Sequence, residues 1–417
     1  MRCTGFAILL FAAVAVAQPL EGPFEVITVD STYSLRSPQA VAHGDTLEVF
    51  YTCYSPTNNN VRNFTYSMTA HQVLQGPFPI RVESSFTQRV AKVVFKDDEN
   101  WALMLDLQSA SRSSVHCLIN YRNTLADALL DVGDYITGEN FWQSRYFTYP
   151  DVHAISDSEY VASWVINGGI AMPFIEPAWM GRLAYTSGID IAAVQDIAPA
   201  CFFHGPETMN IVPIESGRIA ALFTGPAAVT STMVGIISQR NATYVDSGVR
   251  LMCDIEPLDF QRTPGGRLQT AEYGPIYNRV YRIHEVDTLG HCTELVSVPF
   301  ETYPLPPVWN ANFGWVFLLA TSSSIRIARY DTSGFEVQPV GVLVERDSLW
   351  LINEIGAAIS DNGVIAAVWT EQRTGSSNQT RMRFASVGWD THLDTDESQF
   401  TPYPSSFTLS AYPNPFN

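Results

Sequence analysis

The chain has 417 residues, of which 46% are hydrophobic and 16% charged, and its formal net charge is −18. This hydrophobic fraction excludes a disordered chain. The excess of acidic residues argues against the basic face that DNA or RNA binding requires, so we expect no nucleic-acid partner. A chain of this length can form one large all-β domain.

The first 17 residues have the layout of a secretory signal peptide. Arg2 precedes an apolar run from Gly5 to Val16, and a small-x-small sequence ends at Ala17. The run is too short to span a membrane, and no later run of about 18 apolar residues follows. We therefore expect a secreted mature chain without a membrane span.

Short apolar runs rich in β-branched and aromatic residues, bounded by Gly, Pro, Asn, Asp and Ser, indicate strands and turns along most of the chain. Only Asn123 to Leu130 has a pattern typical of a helix. A polar turn followed at once by an apolar strand recurs between Ser37 and Val387. The turns are centred near Gly44, Asp98, Asp157, Ser216, Gly265, Gly314 and Asn362.

Successive turns are about 48 to 59 residues apart, and this repeat predicts an all-β fold, a β-propeller of seven four-stranded blades. Radial stacking buries both faces of each small sheet, and ring closure protects the strand edges. We expect Phe24 to Asp30 to add a strand to the last blade and close the ring. The strand of the fifth unit, RLQTAEY, is polar, so six blades plus an insertion is the competing count. A pair of β-sandwiches is the rival architecture.

The mature chain contains an odd number of cysteines, which allows one or two disulfides and leaves at least one thiol unpaired. Burial as small hydrophobic residues is the alternative. In the pairs His116-Cys117 and His291-Cys292, neighbouring side chains on a strand point to opposite faces. One such pair cannot chelate a metal ion, so we predict no metal site there. The mature cysteines are Cys53, Cys117, Cys201, Cys253 and Cys292.

Residues 390–406 are polar and predict a linker. Asp394 and Asp396 form a D-x-D sequence there, but the full Ca²⁺ loop pattern is missing. We therefore expect no cofactor; Ca²⁺ is the one candidate, and no complete motif supports it.

The C-terminal segment, residues 407–417, ends with YPNPFN at Tyr412–Asn417. This sequence resembles the first strand of the C-terminal sorting domain of proteins exported by the type IX secretion system of Bacteroidetes-related bacteria. The resemblance implies that the secretion machinery is a partner and that the protein is secreted or held at the outer-membrane surface. It also implies a sorting domain that continues beyond residue 417, and it says nothing about the ligand of the propeller. The predicted divisions are a signal peptide at 1–17, the propeller at 18–389, the linker at 390–406 and the start of a sorting domain at 407–417.

The third repeat carries the most unusual loops, and both are expected on the same face of the propeller. They combine aromatic rings, carboxylates and an arginine, a mixture that suits the binding of a sugar or a peptide. Packing of these aromatic residues between blades is the alternative. The predicted binding residues are Glu139, Trp142, Arg145, Tyr146, Asp151, Glu176 and Trp179, with Trp309 added from the sixth repeat.

No nucleophile elbow, P-loop, dinucleotide fingerprint or HExxH sequence is present. The leading hypothesis is therefore a secreted or cell-surface binding protein for an extracellular polysaccharide or protein, rather than an enzyme. The runner-up is a secreted glycoside hydrolase or sialidase-like enzyme with acidic residues at the propeller mouth, which would need a pair of suitably spaced carboxylates. A structural spacer is the third alternative.

Overall fold

The fold is taken from a computed structural model, in which seven antiparallel sheets of four strands each follow one another along the chain. Within each sheet, hydrogen-bonded neighbours are consecutive in sequence, apart from one strand that closes the ring. The structure describes residues 20–29, 34–55, 59–83, 86–97, 99–109, 112–134, 145–156, 158–168, 179–197, 208–214, 218–224, 232–237, 247–251, 257–273, 280–299, 305, 307–320, 324–345, 347–376 and 379–393.

The first strand of the chain, β1 (Glu21–Val29), precedes the blades. Blades 1 to 3 consist of β2 (Ser34–His43), β3 (Thr46–Tyr54), β4 (Asn59–Ser67), β5 (Gln72–Glu83), β6 (Thr87–Asp97), β7 (Asn100–Gln108), β8 (Arg112–Tyr121), β9 (Thr124–Asp134), β10 (Arg145–Ala154), β11 (Glu159–Gly168), β12 (Trp179–Ser187) and β13 (Asp190–Ile197). Blades 4 and 5 consist of β14 (Thr208–Pro213), β15 (Ile219–Thr224), β16 (Thr232–Ile237), β17 (Ser247–Arg250), β18 (Pro257–Arg262), β19 (Leu268–Tyr273), β20 (Val280–Val286) and β21 (Cys292–Pro299). Blades 6 and 7 consist of β22 (Val308–Asn310), β23 (Gly314–Ala320), β24 (Ser324–Tyr330), β25 (Glu336–Glu345), β26 (Trp350–Ile359), β27 (Val364–Arg373) and β28 (Thr380–Gly388).

Ring closure follows the prediction. β1 pairs antiparallel with β28 and completes blade 7, so the last sheet contains strands from both ends of the domain. The predicted closing strand, Phe24 to Asp30, overlaps β1; Asp30 itself lies outside the described residues. Closure of this kind removes two free strand edges at once and joins the ends of the ring.

Each predicted turn falls between the first and second strands of a blade. Gly44, Gly265 and Asn362 lie in described turns of blades 1, 5 and 7, and Gly314 begins β23 directly after the turn of blade 6. The remaining centres, Asp98, Asp157 and Ser216, lie outside the described residues, but strands flank each of them.

Blade 5 is complete, so the count of six blades is wrong. Its second strand, β19, is polar because its polar side chains are buried and hydrogen-bonded. Gln269 accepts a hydrogen bond from the indole N–H of Trp315 at 3.0 Å, and Thr270 donates to the carbonyl of Asp259 at 2.9 Å. Glu272 lies 3.0 Å from Nε2 of His284. A buried polar group is tolerated when it has such partners.

The helical pattern of Asn123 to Leu130 is overturned, because this segment starts with a turn and continues as β9. Arg122 and Asn123 have φ angles of 51° and 61°, as do the central residues of the tight turns that connect the two strands of a β-hairpin. Leu125 and Leu129 are four residues apart and are exposed on this outer strand, which is why the segment resembles one face of a helix.

Seven clusters of buried hydrophobic side chains hold the blades together, and each cluster joins two neighbouring blades. One of them joins blade 7 to blade 1 and places Phe384 beside Tyr66, with ring centroids 4.7 Å apart. Fully burying a large apolar side chain contributes about 1.5–3 kcal/mol. Continuous packing around a ring excludes the pair of β-sandwiches, and the chain is a seven-bladed β-propeller.

The segment after β28 folds back onto blade 6. Arg329, buried on β24, donates a hydrogen bond to the carbonyl of Gly388 at 2.9 Å and another to that of Thr391 at 2.6 Å. Gln338 donates to the carbonyl of Leu393 at 3.1 Å. The described chain therefore ends against blade 6, whereas residues 1–17, 394–406 and 407–417 lie outside the described residues.

Candidate functional site

The two faces of the ring differ in the connections that they carry. We call the face where first strands begin and second strands end, as at Ser34 and Tyr54 of blade 1, the mouth face. The opposite face, which carries the turns between first and second strands, is the turn face. First strands of neighbouring blades contact one another, so they surround the central channel.

Five of the first strands contain a bulge, where one extra residue lacks a partner on the second strand. Bulges redirect the side chains that follow them and are common beside functional sites. In blade 1 the bulge contains Ser37, whose φ is 49° and whose N–H donates to Glu354 of blade 7. The residue that resumes pairing after each bulge is polar; these residues are Gln39, Lys92, Asp151, Asp259 and Glu354.

Three of these residues meet in the channel. Nζ of Lys92 lies 3.2 Å from Oδ1 of Asp151 and 3.1 Å from Oδ1 of Asp259. Lys92 belongs to blade 2, whereas Asp259 belongs to blade 5, which is not its neighbour in the ring. The ion pair therefore crosses the channel and links blades 2, 3 and 5.

Each of the two carboxylates is held by the same local arrangement. Oδ1 of Asp151 accepts the N–H of Val152 at 2.8 Å, and Oδ2 lies 3.0 Å from Nε2 of His153. Oδ1 of Asp259 accepts the N–H of the next residue at 3.0 Å, and Oδ2 accepts a hydrogen bond from Gln261 at 3.0 Å. We call Lys92, Asp151, His153, Asp259 and Gln261 the channel cluster.

Opposite charges are paired within the channel cluster. Burial raises the pKa of Asp151, but His153 and Lys92 outweigh this effect through charge and hydrogen bonds and hold that pKa well below its ordinary value. Burial lowers the pKa of Lys92, but Asp151 and Asp259 outweigh it and raise that pKa above its ordinary value. Asp151 therefore stays ionised at physiological pH and cannot serve as a general acid.

A second polar layer lies closer to the mouth face, on the first strands of blades 1 and 2. Arg36 pairs with Thr52 and Arg89 pairs with Asp106, which are equivalent positions in the two blades. Both arginines are exposed. Cζ of Arg36 lies 5.6 Å from the centre of the Tyr54 ring.

Tyr54 joins the two blades in this layer, since its hydroxyl donates to the carbonyl of Gln88. Burial raises the pKa of Tyr54 to about 12; Arg36, Glu354, Arg89 and Asp106 contribute further electrostatic effects of both signs. Two cations and two carboxylates therefore act on one tyrosine. We call Arg36, Tyr54, Arg89 and Asp106 the mouth cluster.

Asp106 is the buried acid of the mouth cluster, with 8% of its surface exposed. Oδ2 accepts a hydrogen bond from Gln108 at 2.9 Å, whereas buried Oδ1 accepts none. Burial raises the pKa of Asp106 to about 6, although Gln108 and Arg89 act to lower it. A carboxyl with such a pKa can accept or donate a hydrogen bond near neutral pH.

The structure separates the predicted binding residues. Arg145 and Tyr146 begin β10 and Trp179 begins β12, so their backbones lie at the mouth face. Asp151 lies deeper, in the channel cluster. Trp309 is near the turn of blade 6, at the turn face, and packs against Trp315 at a tilt of 52°, with ring centroids 4.8 Å apart. Glu139, Trp142 and Glu176 lie outside the described residues.

The sequence interpretation missed most of both clusters. One signal was available, because Asp151-Val152-His153 and Asp259-Phe260-Gln261 repeat the same order of residue types in two first strands. Lys92 is one of two lysines in the chain, which also distinguishes it. No sequence signal pairs Arg36 with Arg89, since their equivalence depends on the register of the bulged strands.

In the described part of the chain, no group of three or more His, Cys, Asp and Glu side chains is arranged to hold a metal ion. His116 binds Asp127 at 2.6 Å and His291 binds Asp287 at 2.7 Å, so each histidine next to a cysteine has a carboxylate partner. Cys292 is in a disulfide, whose partner lies outside the described residues, whereas Cys53 and Cys117 are free and buried. The same ranges contain no helix that could cross a membrane.

No family model matches the chain, and no curated protein sequence does. Solved structures match it in fold. An ulvan lyase, described as a polysaccharide lyase bound to -[GlcA(1-4)Rha3S]-, aligns with a TM-score of 0.50 at 8% identity and covers 89% of this chain and 96% of that chain. Another polysaccharide lyase has a TM-score of 0.47 at 9% identity, covering 84% and 90%. The β-propeller domain of the trilobed protease from Pyrococcus furiosus has a TM-score of 0.45 at 8% identity, covering 85% and 94%. At these identities the similarity concerns the fold alone.

Proposed function

We propose that this propeller is a secreted or surface-held binding protein that recognises an extracellular polysaccharide or protein at its mouth face. The observation that carries the proposal is the difference between the two polar layers of the channel. In the channel cluster the lysine is already paired with two carboxylates, whereas the mouth cluster presents two exposed arginines beside a tyrosine and a buried carboxyl. Fixed polar groups around an aromatic ring suit polymer recognition.

Polysaccharides are the first ligand class to test, because an ulvan lyase shares the fold of this chain. The test is surface plasmon resonance of the mature protein against immobilised polysaccharides and envelope proteins, together with a glycan array. We expect saturable binding to at least one polymer. Absence of binding to every polysaccharide and every envelope fraction would overturn the proposal.

Export is part of the same proposal. The signal-peptide layout of residues 1–17 and the YPNPFN sequence at Tyr412–Asn417 support passage through the type IX secretion machinery. Mass spectrometry of the native extracellular fraction should find a mature N-terminus at Gln18. Recovery of the chain in the cytoplasm with Arg2 still attached would contradict this part.

A glycoside hydrolase is the second candidate, and Asp106 favours it. A buried carboxyl with a pKa of about 6 has the character of a general acid, and Glu354 is a second carboxylate that acts on the same tyrosine. This alternative predicts release of reducing ends from a bound polymer and loss of that release in Asp106→Asn. Binding without any release of reducing ends would exclude it in favour of the binding protein.

A further inference from the structure

We infer that the mouth cluster binds an anionic group on a sugar chain, either a carboxylate or a sulfate, and that Asp106 recognises a neighbouring hydroxyl. The inference rests on the proposed function and names its ligand chemistry. It assigns the specificity of the propeller to Arg36, Tyr54, Arg89 and Asp106 on blades 1 and 2.

Arg36 and Arg89 differ from many other arginines in their partners. In the described residues, carboxylates pair with six other arginines, most of which are partly buried. Arg381 lies 2.6 Å from Glu371, and Arg182 lies 2.6 Å from Asp131. No carboxylate in that part of the chain forms an ion pair with Arg36 or Arg89. The arginines with carboxylate partners are Arg81, Arg182, Arg267, Arg282, Arg381 and Arg383.

The two arginines lie on neighbouring strands at the mouth. Arg36 and Arg89 occupy equivalent register positions on adjacent first strands, and both act on Tyr54. Each lies near the mouth end of its strand, whereas the channel cluster forms the layer beneath. Two guanidinium groups on rigid neighbouring strands can bind one anionic group with several charge-assisted hydrogen bonds.

A buried carboxyl and a buried hydroxyl lie opposite the two arginines. Asp106 is more than nine-tenths buried, lies opposite Arg89, and has an oxygen, Oδ1, that accepts no hydrogen bond. The residue opposite Arg36, Thr52, is fully buried and its Oγ1 is likewise without a partner. Leaving a buried polar group unpaired costs about 1–3 kcal/mol, so a ligand hydroxyl that donates to Oδ1 of Asp106 would be favoured. A sugar ring offers hydroxyl groups that match such acceptors.

The experiment is isothermal titration calorimetry of the full chain with three matched probes. A galacturonic acid tetrasaccharide presents carboxylates, a sulfated carrageenan tetrasaccharide presents sulfates, and a neutral galactose tetrasaccharide presents neither. Arg36→Gln and Arg89→Gln remove one cation each. Arg122→Gln is the control, because Arg122 is also an exposed arginine over a tyrosine ring, 5.1 Å from the centre of Tyr121, but on a distant hairpin.

We expect one of the two anionic probes to bind and the neutral probe to bind at least about tenfold more weakly. The probe that binds distinguishes carboxylate from sulfate. Arg36→Gln and Arg89→Gln should each weaken that binding about tenfold or more, and Arg122→Gln should leave it within about twofold. Asp106→Ala should also weaken it.

Four results would overturn the inference. Equal binding of the neutral and anionic probes would reject the anionic ligand while leaving a polysaccharide-binding protein in place. Anionic binding that is unchanged in Arg36→Gln and Arg89→Gln would reject the mouth cluster as the site. Binding of proteins with no binding of any saccharide would reject the ligand class, and absence of all binding would reject the proposed function as well.

Discussion

Lys92 and Arg89 lie three residues apart on β6, yet only Lys92 forms ion pairs with carboxylates of the described residues. Lys92 is held between two carboxylates from other blades, whereas Arg89 faces the mouth without an ion-pair partner among the described residues. The ion pair at the centre ties blades together, and the exposed guanidinium of Arg89 above it remains available to a ligand. Positions a few residues apart on one strand can therefore serve different purposes, one stabilising the ring and the other binding a ligand.

The largest expected effect comes from removing the cation at the centre. Lys92→Met leaves Asp151 and Asp259 facing the channel without their counter-ion. Breaking a buried ion pair from one side costs about 3–5 kcal/mol, and because 30% of the Lys92 side chain is exposed, the free energy of unfolding should fall by the lower end of that range, about 3 kcal/mol, in urea titrations. Lys96→Met, which changes the other lysine, should cost less than about 1 kcal/mol. A Lys92→Met variant as stable as wild type would show that the ion pair across the channel does not stabilise the ring.

The fall of the free energy of unfolding at acid pH also tests the channel cluster. Asp151 has a folded pKa far below its unfolded value, so its contribution is complete above about pH 4 and is lost as pH falls further. In Asp151→Asn that loss should disappear, and the stability difference from wild type, about 2–3 kcal/mol at pH 7, should shrink towards pH 2. Asp361→Asn, at an exposed turn, is the control. If wild type and Asp151→Asn lose stability equally as pH falls, the ion pair between Asp151 and Lys92 is not formed.

Asp106 should behave in the opposite sense. Its folded pKa is raised to about 6, so ionisation destabilises the folded state as pH rises from about 4 through 6. Asp106→Asn should therefore be more stable than wild type by about 1–3 kcal/mol at pH 8 and equal to it near pH 4. Thermal unfolding at both pH values measures this. A variant less stable than wild type at pH 8 would show that the carboxylate is structural.

The repeat itself was predictable from sequence, because turns and strands depend on local residue types. All the predicted second strands and the closing strand agree with the structure. The polar pattern of β19, which suggested the competing count of six blades, and the helical pattern of β9, which was wrong, each have a physical cause. Burial of β19 depends on partners that are distant in sequence, such as Trp315, and the exposed leucines of β9 resemble a helical face because outer strands are only half covered.

The site was much harder to predict, because its residues come together across the ring. Asp151 was identified, but as part of a loop-lined mouth and not as a partner of Lys92 and Asp259. Arg36 and Arg89 are equivalent only once the bulges set the register of β2 and β6. A bulge is an irregularity of pairing, which a single sequence does not reveal.

The most direct test of the account measures unfolding and binding on one double variant, Arg36→Gln/Arg89→Gln. Exposed arginines without ion pairs contribute little to folding, so the free energy of unfolding should stay within about 1 kcal/mol of wild type. Affinity for the acidic tetrasaccharide that wild type binds should fall about a hundredfold. A stability loss of about 3 kcal/mol or more, with unchanged affinity for that tetrasaccharide, would contradict the account, because the mouth cluster would then serve folding and not recognition.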